Sequence, residues 1–589
     1  MTNNRSSVQI LVGGPAGSGN ITSGIVLARA FMYMGYYAVG VSEYPSLIRG
    51  GHTAYWVRAG TEKIYELEDH TDIVVAFDEA TFQRHGWEIH EDSIAVYDPQ
   101  VVKNVPENIK KTPIPFRKLL RENGLKPITM NMMAVGAVSA LLGLPLDTVL
   151  KSVEYQFRGR ERVIEENKKS CMIGYEYMSS QPLSIEPPRL DEPRPWGKRI
   201  MITGNEAIAV GFVKGDLRMY VAYPMTPASP LLHFMVRMIK EKDIVTIQAE
   251  SEIAAAQMAL AACWTGIRAA TGTSGGGFAL MNETLSEAGM FEAPLIIVVA
   301  MRPGPSTGMA THSAQEDLLY SIFAGHGEFP RIVVAPADQE DAYYRAVELL
   351  NLAWKWRVPG IILEDKHLAE SIRTVPAFRE DLVLEKGALL YKEEAEEKIR
   401  NGWKYLPYQV TENGVSPWVP TGTEGALNKS DSSEHDERGI VSERPHIANM
   451  MYKKRMRKEK YILEDLEKNY EVIRTYGYPV EEADIVVLTW GSATWASLEA
   501  KKHLDKEGLK LGIVQVIYLW PFPKNKFNEI MGRASGKPVF TVEYNLRGQL
   551  GLLAKMVTGF TVTDHIGKID GRPFRGRQLA QEIISRLKR

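Results

Sequence analysis

Short apolar runs alternate with longer amphipathic stretches along most of the chain. Near the amino terminus, SVQILVGG predicts a strand that ends in a glycine turn, SGIVLARAFMYMG predicts a helix, and YAVGVSEYP predicts the next strand. Continuous apolar runs of this length are typical of strands that are buried on both faces of a parallel sheet. The alternation of such strands with helices predicts an α/β fold.

This pattern recurs in three blocks, which predict three doubly wound α/β domains. Two stretches of different composition separate the blocks: a proline-rich segment and a long charged segment. We therefore expect the following organisation: a first domain at 1–180, a proline-rich linker at 181–198, a second domain at 199–385, a charged linker or insertion at 386–470, and a third domain at 471–589.

Composition and charge exclude several classes of partner. The 589 residues carry a net charge of −2, and 44% of them are hydrophobic. This balance does not favour nucleic acid or an anionic membrane. The run LIIVVAM is far shorter than the roughly 20 residues of a membrane span, and the amino terminus lacks the apolar core and cleavage site of a signal peptide. We expect a cytoplasmic protein.

Only two cysteines are present, Cys171 and Cys263, and they do not form a CxxC pair. A disulfide framework is not expected from this usage, which suits a cytoplasmic protein. An iron–sulfur cluster typically takes about four thiolates. Any cluster that serves this protein must therefore lie on another chain, and we predict no metal site on this one.

Two glycine-rich loops stand out in the first domain. GGPAGSG (13–19) lies between a predicted strand and a predicted helix, where bare backbone N–H groups can approach a phosphate. No Lys-Ser/Thr pair follows, so the loop is not a P-loop. Arg49-Gly50-Gly51, followed by His52, offers a second bare backbone and one cation. Each loop could bind an anionic cofactor or be a simple turn.

The second domain carries YPMTP at the end of a predicted strand. Pro224 and Pro227 restrict the backbone on either side of Thr226, because proline fixes its φ angle near about −65°. Ligands of open α/β sheets bind at the carboxyl ends of strands. The Thr226 hydroxyl could donate a hydrogen bond to a substrate carbonyl or carboxylate there. An ordinary proline-containing turn is the alternative.

Two acids begin the alanine-rich helix that follows. Glu250-Ser251-Glu252 precedes IAAAQMALAA, and acids at a helix start interact favourably with the helix dipole. One of the two glutamates could instead be a buried carboxylate that holds a proton for a cofactor nitrogen. The other could then cap the helix.

Two further loops follow apolar strands. The glycines of Ser274-Gly275-Gly276-Gly277 are costly unless the backbone approaches something closely. Arg302 ends the most apolar strand and can pair bidentately with a carboxylate, the alternative being an interface salt bridge. Together, these strand-end loops predict a cleft for a flat cofactor with an acidic substrate beside it.

These motifs resemble those of the 2-oxoacid:ferredoxin oxidoreductases. YPMTPASP is similar to the family's YPITPSS-type motif, and EIAAAQMALAA, TSGGGFALMNE, RPGPSTGMAT and GHGEFPRIVVAP resemble its 2-oxoglutarate-type α subunit. GGPAGSG and IRGGH resemble the γ component, here fused ahead of α. LTWGSAT, WPFP, VEYNLRGQL and KIDGRPF resemble the transketolase-C-like domain. The resemblance thus implies a γ-like domain, a pyrimidine-binding domain and a transketolase-C-like domain.

The resemblance also implies a reaction and its partners. Thiamine diphosphate attacks a 2-oxoacid, CO2 leaves, coenzyme A takes the acyl group, and electrons pass through an iron–sulfur cluster to ferredoxin. In such enzymes a β subunit holds the diphosphate, the Mg2+ and the cluster. This chain has no GDG…NN-type motif. We therefore expect activity only with a β subunit, in an (αβ)2 heterotetramer, with 2-oxoglutarate favoured and the reaction reversible.

The resemblance implies roles for single residues. Glu252 would protonate the pyrimidine nitrogen, with Glu250 as second choice, while Thr226 would bind the substrate carbonyl or carboxylate and Arg302 its carboxylate. Arg49, Gly50 and Gly51 would help to close the coenzyme A site. Asn545 and Gln549 are candidates for subunit or coenzyme A contacts. The predicted cofactor-binding set is Tyr223, Pro224, Glu250, Ser274, Gly275, Gly276, Arg49, Gly50, Gly51 and Asn545.

Two other functions remain open from the sequence. A non-redox thiamine-diphosphate 2-oxoacid decarboxylase would also divide pyrimidine and diphosphate binding between subunits, although small decarboxylase subunits lack the γ-like and transketolase-C-like domains. A non-catalytic nucleotide-binding assembly protein would bind nucleotide through its first domain alone. In that case Thr226, Glu252 and Arg302 would be structural.

Overall fold

The apolar runs of the sequence form the strands of three mixed or mostly parallel sheets. The structure is a computed structural model and describes residues 4–47, 50–182, 186–193 and 196–588. Helices flank the sheets, and the fold is α/β as predicted. Among the described residues, we find no helix that combines the length and the apolar character needed to cross a bilayer.

The first third of the chain supplies nine strands and six helices of the described part. The strands are β1 (Asn4–Arg5), β2 (Ser7–Pro15), β3 (Tyr37–Glu43), β4 (His52–Gly60), β5 (Ile73–Ala76), β6 (Ile94–Tyr97), β7 (Lys110–Pro113), β8 (Arg189–Leu190) and β9 (Arg199–Thr203). The helices are α1 (Asn20–Met34), α2 (Ala80–His85), α3 (Phe116–Glu122), α4 (Met130–Leu142), α5 (Leu146–Gln156) and α6 (Glu161–Ser180).

The middle of the chain alternates helices and strands most regularly. Its helices are α7 (Gly204–Lys214), α8 (Ser229–Lys242), α9 (Glu252–Trp264), α10 (Gly275–Leu280), α11 (Asn282–Phe291), α12 (Leu318–Phe323), α13 (Gln339–Trp356) and α14 (Lys366–Glu370). Its strands are β10 (Met219–Ala222), β11 (Val245–Gln248), β12 (Ala269–Thr273), β13 (Ile296–Met301), β14 (Ile332–Val334), β15 (Gly360–Asp365) and β16 (Ile372–Pro376).

The last third begins with long irregular segments and ends in a small sheet. Its helices are α15 (Lys392–Arg400), α16 (Pro445–Asn469), α17 (Ala493–Lys506), α18 (Lys524–Gly532), α19 (Gln549–Thr558) and α20 (Gly576–Leu587). Its strands are β17 (Ile473–Gly477), β18 (Ile485–Thr489), β19 (Leu511–Val516), β20 (Tyr518–Trp520), β21 (Val539–Glu543) and β22 (Asp564–Gly567).

The chain forms two compact units. The first unit comprises 1–203, 370–377 and 575–581, and the second comprises 204–369, 378–574 and 582–589. The second and third predicted domains thus share one unit. The predicted domain boundaries themselves stay predictions.

The first unit is built on an eight-stranded sheet in the order β7-β6-β5-β2-β4-β3-β16-β9. Alternate residues of β2 point to opposite faces. Val8, Ile10 and Val12 join the larger core with α1 and α4, whereas Leu11 joins a second core with Trp56. Helices and loops therefore cover both faces of this sheet.

Two strands that the sequence pattern placed in the second domain extend the first sheet instead. β16 pairs antiparallel with β3, joining Ile372 to Gly40, and β9 pairs antiparallel with β16. Gly40 leaves room for the Ile372 side chain, since a Cβ on Gly40 would stand 2.6 Å from Ile372 Cγ1. This fit depends on residues more than 300 positions apart, so local periodicity could not reveal it.

The second unit holds two sheets. The larger has the order β11-β10-β12-β13-β15-β14-β20 and is parallel except for the β14–β20 pair. The smaller has the order β17-β19-β18-β21-β22, with β17 antiparallel. Because β20 comes from the last predicted domain and completes the larger sheet, the two domains are joined by backbone hydrogen bonds.

The charged segment 386–470 packs against the second unit. Trp418 stacks on Trp354 of α13 at 5.2 Å between ring centroids, and Met451 and Ile462 of α16 are fully buried. The segment thus belongs to the second unit through these contacts, and its description as linker or insertion stays a prediction.

Candidate active site

The loops singled out in the second domain meet at one edge of the larger sheet. β11, β10, β12 and β13 are adjacent and parallel, so their carboxyl ends lie at the same edge. The loops that follow these four strands carry Glu252, Thr226, the Ser274–Gly277 turn and Arg302 in turn. Such an edge is the usual ligand site of an open α/β sheet.

Arg302 is anchored to the YPMTP loop. Its Nη1 donates a hydrogen bond of 2.8 Å to the backbone oxygen of Thr226. The side chain is half-buried, and this burial lowers the pKa of its guanidinium. Arg302 forms no ion pair with another of the described residues. The guanidinium is thus held in place with the capacity to bind an external carboxylate.

Burial distinguishes Glu250 from Glu252 in the loop between β11 and α9. Glu252 is the first residue of α9 and only 5% exposed, whereas Glu250 is exposed. Ser251 caps the helix, because its hydroxyl accepts a hydrogen bond of 3.2 Å from Ala254 N. In the described part of the chain, Glu252 Oε1 is buried without a hydrogen-bond partner. A buried carboxylate oxygen without a partner is costly unless a ligand satisfies it.

The glycine turn lies directly against Glu252. A Cβ on Gly277 would stand 2.8 Å from Glu252 Oε1 and would also overlap Thr273 Oγ1. Thr273 in turn contacts Met225 Sδ at 3.7 Å, which links the turn to the YPMTP loop. The Ser274 hydroxyl is buried, and no partner for it is found in the described residues. The turn therefore leaves space beside two unsatisfied polar groups.

One residue of this site was missed by the sequence reasoning. Asp317 lies against the turn, where a Cβ on Gly275 would overlap its carboxylate. Burial and the neighbouring Glu316 raise the pKa of Asp317 to about 6. The only sequence signal was an acidic pair, Glu316-Asp317, just ahead of an apolar run, and such pairs are common at helix starts.

Tyr223 and Pro224 lie in the same loop as Thr226, with Tyr223 exposed at 38%. Gly276 is open, since only Ser306 O would lie near an added Cβ, at 3.9 Å. These residues, with Ser274 and Gly275, are thus placed at the cleft edge where the sequence predicted them. Their contact with a cofactor stays a prediction.

Asn545 and Gln549 occupy a different place. Asn545 is 1% exposed, and its amide donates to Gln315 O at 3.0 Å and to Glu543 Oε2 at 2.9 Å. Gln549 accepts a 2.9 Å hydrogen bond from Leu319 N. Their polar groups bind the loop 315–319 to the smaller sheet. A subunit or coenzyme A contact of these two residues stays a prediction.

The two glycine loops of the first unit are neighbours. β2 pairs with β4 so that Pro15 is opposite His52, and Ala16 N donates a 2.9 Å hydrogen bond to Gly51 O. Gly50 and Gly51 both have positive φ angles, of 79° and 88°. Arg49, which was also predicted to bind coenzyme A, lies outside the described residues.

The second unit's cleft fits an aminopyrimidine cofactor. Glu252 offers a buried oxygen without a partner, and Gly277 provides a surface without a side chain beside it. The described residues contain no group of three or more His, Cys, Asp or Glu side chains that could hold a metal ion.

Comparison with protein-family models gives three matches along the chain. The model for pyruvate flavodoxin/ferredoxin oxidoreductase, thiamine diP-bdg, matches residues 210–454. The model for pyruvate ferredoxin/flavodoxin oxidoreductase matches 9–177. The model for pyruvate:ferredoxin oxidoreductase core domain II matches 483–579.

Relatives extend this similarity over nearly the full length. The 2-oxoacid:ferredoxin oxidoreductase subunit alpha of Saccharolobus solfataricus is 32% identical over 97% of this chain and 96% of its own length. The chain belongs to the 2-oxoacid:ferredoxin oxidoreductase family. The 2-oxoglutarate synthase subunit KorA of Methanothermobacter thermautotrophicus, a shorter relative, is 29% identical over 65% of this chain and 97% of its own.

A solved structure has the same fold throughout. The 2-oxoglutarate:ferredoxin oxidoreductase from Magnetococcus marinus, solved with 2-oxoglutarate, coenzyme A and succinyl-CoA bound, matches with a TM-score of 0.89. It is 30% identical and covers 99% of this chain and 100% of its own. The resemblance inferred from the motifs is thus confirmed, and a 2-oxoacid:ferredoxin oxidoreductase subunit with a thiamine-diphosphate-binding domain accounts for the cleft. Membership disfavours the two alternative functions.

Proposed function

We propose that this chain is the α subunit, with a fused γ-like domain, of a coenzyme A-dependent 2-oxoacid:ferredoxin oxidoreductase that favours 2-oxoglutarate. One observation carries the proposal: a buried Glu252 carboxylate with an unsatisfied oxygen and an anchored Arg302 lie at the same edge of the sheet. The products are an acyl-CoA and CO2, with electrons passed to ferredoxin in a reversible reaction.

When bound, thiamine diphosphate would supply the nucleophilic carbon for attack on the 2-oxoacid carbonyl. Glu252 would hold a proton at the pyrimidine nitrogen, a task that suits a buried carboxylate with an orphan oxygen. Arg302, fixed by Thr226 O, would bind the substrate carboxylate, and the Thr226 hydroxyl would donate to the substrate carbonyl. Gly275–Gly277 would lie against the cofactor ring.

Several features support a partner subunit. Beside Glu252, α9 exposes Ile253 at 52% and Met258 at 38%, and α10 exposes Leu280 at 51%. Exposed apolar side chains around a cleft are typical of a surface that another chain covers. This β subunit would carry the diphosphate site, the Mg2+ and the iron–sulfur cluster in an (αβ)2 heterotetramer.

We expect the complex in the cytoplasm, since both cysteines are free thiols.

The choice of 2-oxoglutarate and coenzyme A rests on similarity. The Magnetococcus marinus enzyme was solved with 2-oxoglutarate and coenzyme A bound, and KorA relatives are named 2-oxoglutarate synthase subunits. The loop of Gly50 and Gly51, with its exposed backbone, would help to close the coenzyme A site.

Anaerobic reconstitution tests the proposal. The chain is copurified with its cognate β subunit, and reduction of a viologen dye is measured with 2-oxoglutarate or pyruvate, each with and without thiamine diphosphate and coenzyme A. We expect dye reduction that needs both additions and both subunits, with a higher kcat/KM for 2-oxoglutarate. CO2 release without dye reduction would point to the decarboxylase, and inactivity of an intact, cluster-bearing complex would contradict the assignment.

A further inference from the structure

A second group of titratable side chains belongs to the first unit, whereas Glu252, Thr226 and Arg302 belong to the second. His52, which follows Gly50-Gly51, and His85, at the end of α2, face each other with 3.1 Å between their Nε2 atoms. The ring centroids are 5.2 Å apart, so the rings meet through these nitrogens rather than by stacking. Both side chains are nearly buried, at 6% and 5% exposure.

The other ring nitrogen of each histidine faces a carboxylate. His52 Nδ1 lies 3.6 Å from Asp78 Oδ1, and His85 Nδ1 lies 3.3 Å from Glu88 Oε1. Both contacts are electrostatic, since His52 Nδ1 and Glu88 Oε1 have no hydrogen-bond partner in the described part of the chain. Asp78 Oδ1 also accepts hydrogen bonds from Thr81 N and Oγ1, at 3.0 and 2.9 Å. The Thr81 hydrogen bonds keep the Asp78 carboxylate oriented, and the nearby His52 and Thr81 groups hold the pKa of Asp78 below its usual range against the effect of burial.

Glu88 is oriented just as firmly. Its side chain is fully buried, and Oε2 accepts hydrogen bonds from Trp56 Nε1 at 2.9 Å and from Thr71 Oγ1 at 3.0 Å. The oxygen that remains, Oε1, faces His85. Arg575 lies 5.7 Å from the centroid of the Trp56 ring, and Glu66 lies 3.8 Å from Arg575, so these two charges stand beyond Trp56.

The facing carboxylates favour one distribution of protons on the two rings. The negative charge of a carboxylate stabilises a hydrogen on the Nδ1 atom that faces it. A neutral imidazole with its hydrogen on Nδ1 has a lone pair on Nε2. Two such rings would set lone pair against lone pair at 3.1 Å. One additional proton between the Nε2 atoms turns this repulsion into a hydrogen bond.

A metal ion is the other species that could join two Nε2 atoms, and carboxylates often orient metal-bound imidazoles. Protein zinc sites, however, generally use at least three protein ligands. The described residues offer no group of three His, Cys, Asp or Glu side chains suited to a metal. A proton requires only the two acceptors that are present.

We propose that His52 and His85 share one proton between their Nε2 atoms and form a singly charged imidazole–imidazolium pair that positions the Gly50–Gly51 loop. The connection is direct along the chain, since His52 is the first residue of β4 and Gly51 precedes it. Gly51 O is also tied to Ala16 N of the neighbouring glycine loop. The pair therefore sets one end of a surface formed by two bare backbones, and its proton offsets part of the negative charge of Asp78 and Glu88.

The consequence for ligand binding rests on the proposed function, which assigns this loop to coenzyme A. The bare backbone N–H groups of two adjacent glycine loops suit an anionic ligand, such as the diphosphate of coenzyme A. His85 would act through His52 and the loop, and so it is a positioning residue.

Protonation of the two rings is tested on the full chain labelled with 15N-histidine. Long-range 1H–15N correlation reports whether each ring nitrogen carries a hydrogen. We expect both Nδ1 atoms to be protonated and the two Nε2 atoms to share a third proton, which His85→Gln removes. Two neutral rings of opposite tautomer would overturn the proposal, as would a stoichiometric transition metal that is lost in His85→Gln.

The role in positioning is tested on the reconstituted complex. The side-chain amide introduced by His85→Gln can still donate a neutral hydrogen bond to His52, whereas His85→Phe removes the donor altogether, and His90→Gln alters a nearby histidine outside the pair as a control. We expect the KM for coenzyme A to rise roughly tenfold in His85→Gln, as when a charge-assisted hydrogen bond becomes neutral, and further in His85→Phe, with kcat less affected. An unchanged KM in both His85 variants would overturn the positioning role.

These two experiments separate the inference from the proposed function. If the wild-type complex shows no coenzyme A-dependent turnover, the proposed function fails, yet the nitrogen correlation still decides whether the proton is shared. If turnover is normal and the rings are both neutral, only the histidine pair is wrong.

Discussion

At the scale of single residues, burial decides which of two similar side chains can do chemistry. Glu250 and Glu252 are two positions apart and both precede an apolar helix, but only Glu252 is buried with an unsatisfied oxygen. Ser251 takes over the capping role that an acid could have filled. The local sequence does not distinguish the two acids, because the burial of Glu252 depends on its contact with Gly277.

Glu252→Gln is expected to lower turnover of the reconstituted complex at least about a hundredfold, because an amide cannot hold the proton that a carboxylic acid transfers or shares. The measurement is viologen reduction with 2-oxoglutarate at saturating coenzyme A. Glu250→Gln is the matched control and should retain most activity. Equal losses in the two variants, or a loss only in the control, would reassign the role.

Asp317 is a residue whose protonation couples to folding. Its pKa rises from 3.8 to about 6 because the site is desolvated and Glu316 is close. Below about pH 4 both folded and unfolded chains are protonated here. Between about pH 4 and 6 the unfolded chain ionises first, so this group makes the folded state progressively less stable as pH rises.

Asp317→Asn removes this penalty. Relative to wild type, its unfolding free energy should increase as pH rises from about 4 to 6 and level off above that range, by up to about 3 kcal/mol. Urea denaturation of the full chain at several pH values measures the difference. A constant difference across this range would show that Asp317 is ionised in the folded state.

At the scale of secondary-structure elements, the first turn of helix α10 requires glycine at some positions and not at others. Gly277 stands against Glu252 and Thr273, whereas Gly276 has open space around its Cα. The sequence shows three equivalent glycines, and only the packing of α9 against the turn distinguishes them.

Gly277→Ala is expected to displace Glu252 and reduce kcat/KM by roughly tenfold or more, since an added Cβ would come within 2.8 Å of its carboxylate. Gly276→Ala adds the same methyl group to open space and serves as the control. Both variants are assayed in the reconstituted complex. A greater loss in Gly276→Ala would indicate that the open position, and not Glu252, faces the cofactor.

Helix α16 inserts two lysines into the second unit. Lys454 and Lys458 are fully buried one turn apart, and their Nζ atoms each lie 2.5 Å from a carboxylate oxygen of Glu292. One carboxylate is shared by both lysines and the nearby Arg357, so its attraction does not offset the loss of hydration on burial. Burial therefore lowers the pKa of Lys454 to about 7 and of Lys458 to about 8.

Glu292→Gln should therefore lower the unfolding free energy by roughly 3–5 kcal/mol, as expected when a buried ion pair loses one partner. Glu529→Gln is the control: Glu529 pairs with Lys526 at 2.8 Å on the surface, where solvent screens the pair and little stability should be lost. Chemical denaturation measures both. Similar small effects would mean that the lysines are neutral in the folded chain.

At the scale of the whole molecule, the distribution of cysteines limits what the chain does alone. Both are fully buried, and burial raises the pKa of each thiol to about 12. Thiolates are the ligands of iron–sulfur clusters, and two separated buried thiols do not form a cluster site.

After anaerobic reconstitution with iron and sulfide, the purified chain should therefore hold no cluster, whereas the complex with its β subunit should hold one. Iron analysis and visible absorbance measure this. Stoichiometric iron on the isolated, folded chain would contradict the assignment of the cluster to the partner.

The sequence by itself determined the α/β class and the candidate loops at strand ends, because these depend on local periodicity and on where strands end. It also identified the family from motifs that the comparisons confirm. The tertiary structure alone decided which glutamate is buried, that Arg302 is fixed by Thr226, that β16 joins the first sheet, and that His52 meets His85. Each of these depends on contacts between residues distant in the chain, which no local pattern encodes.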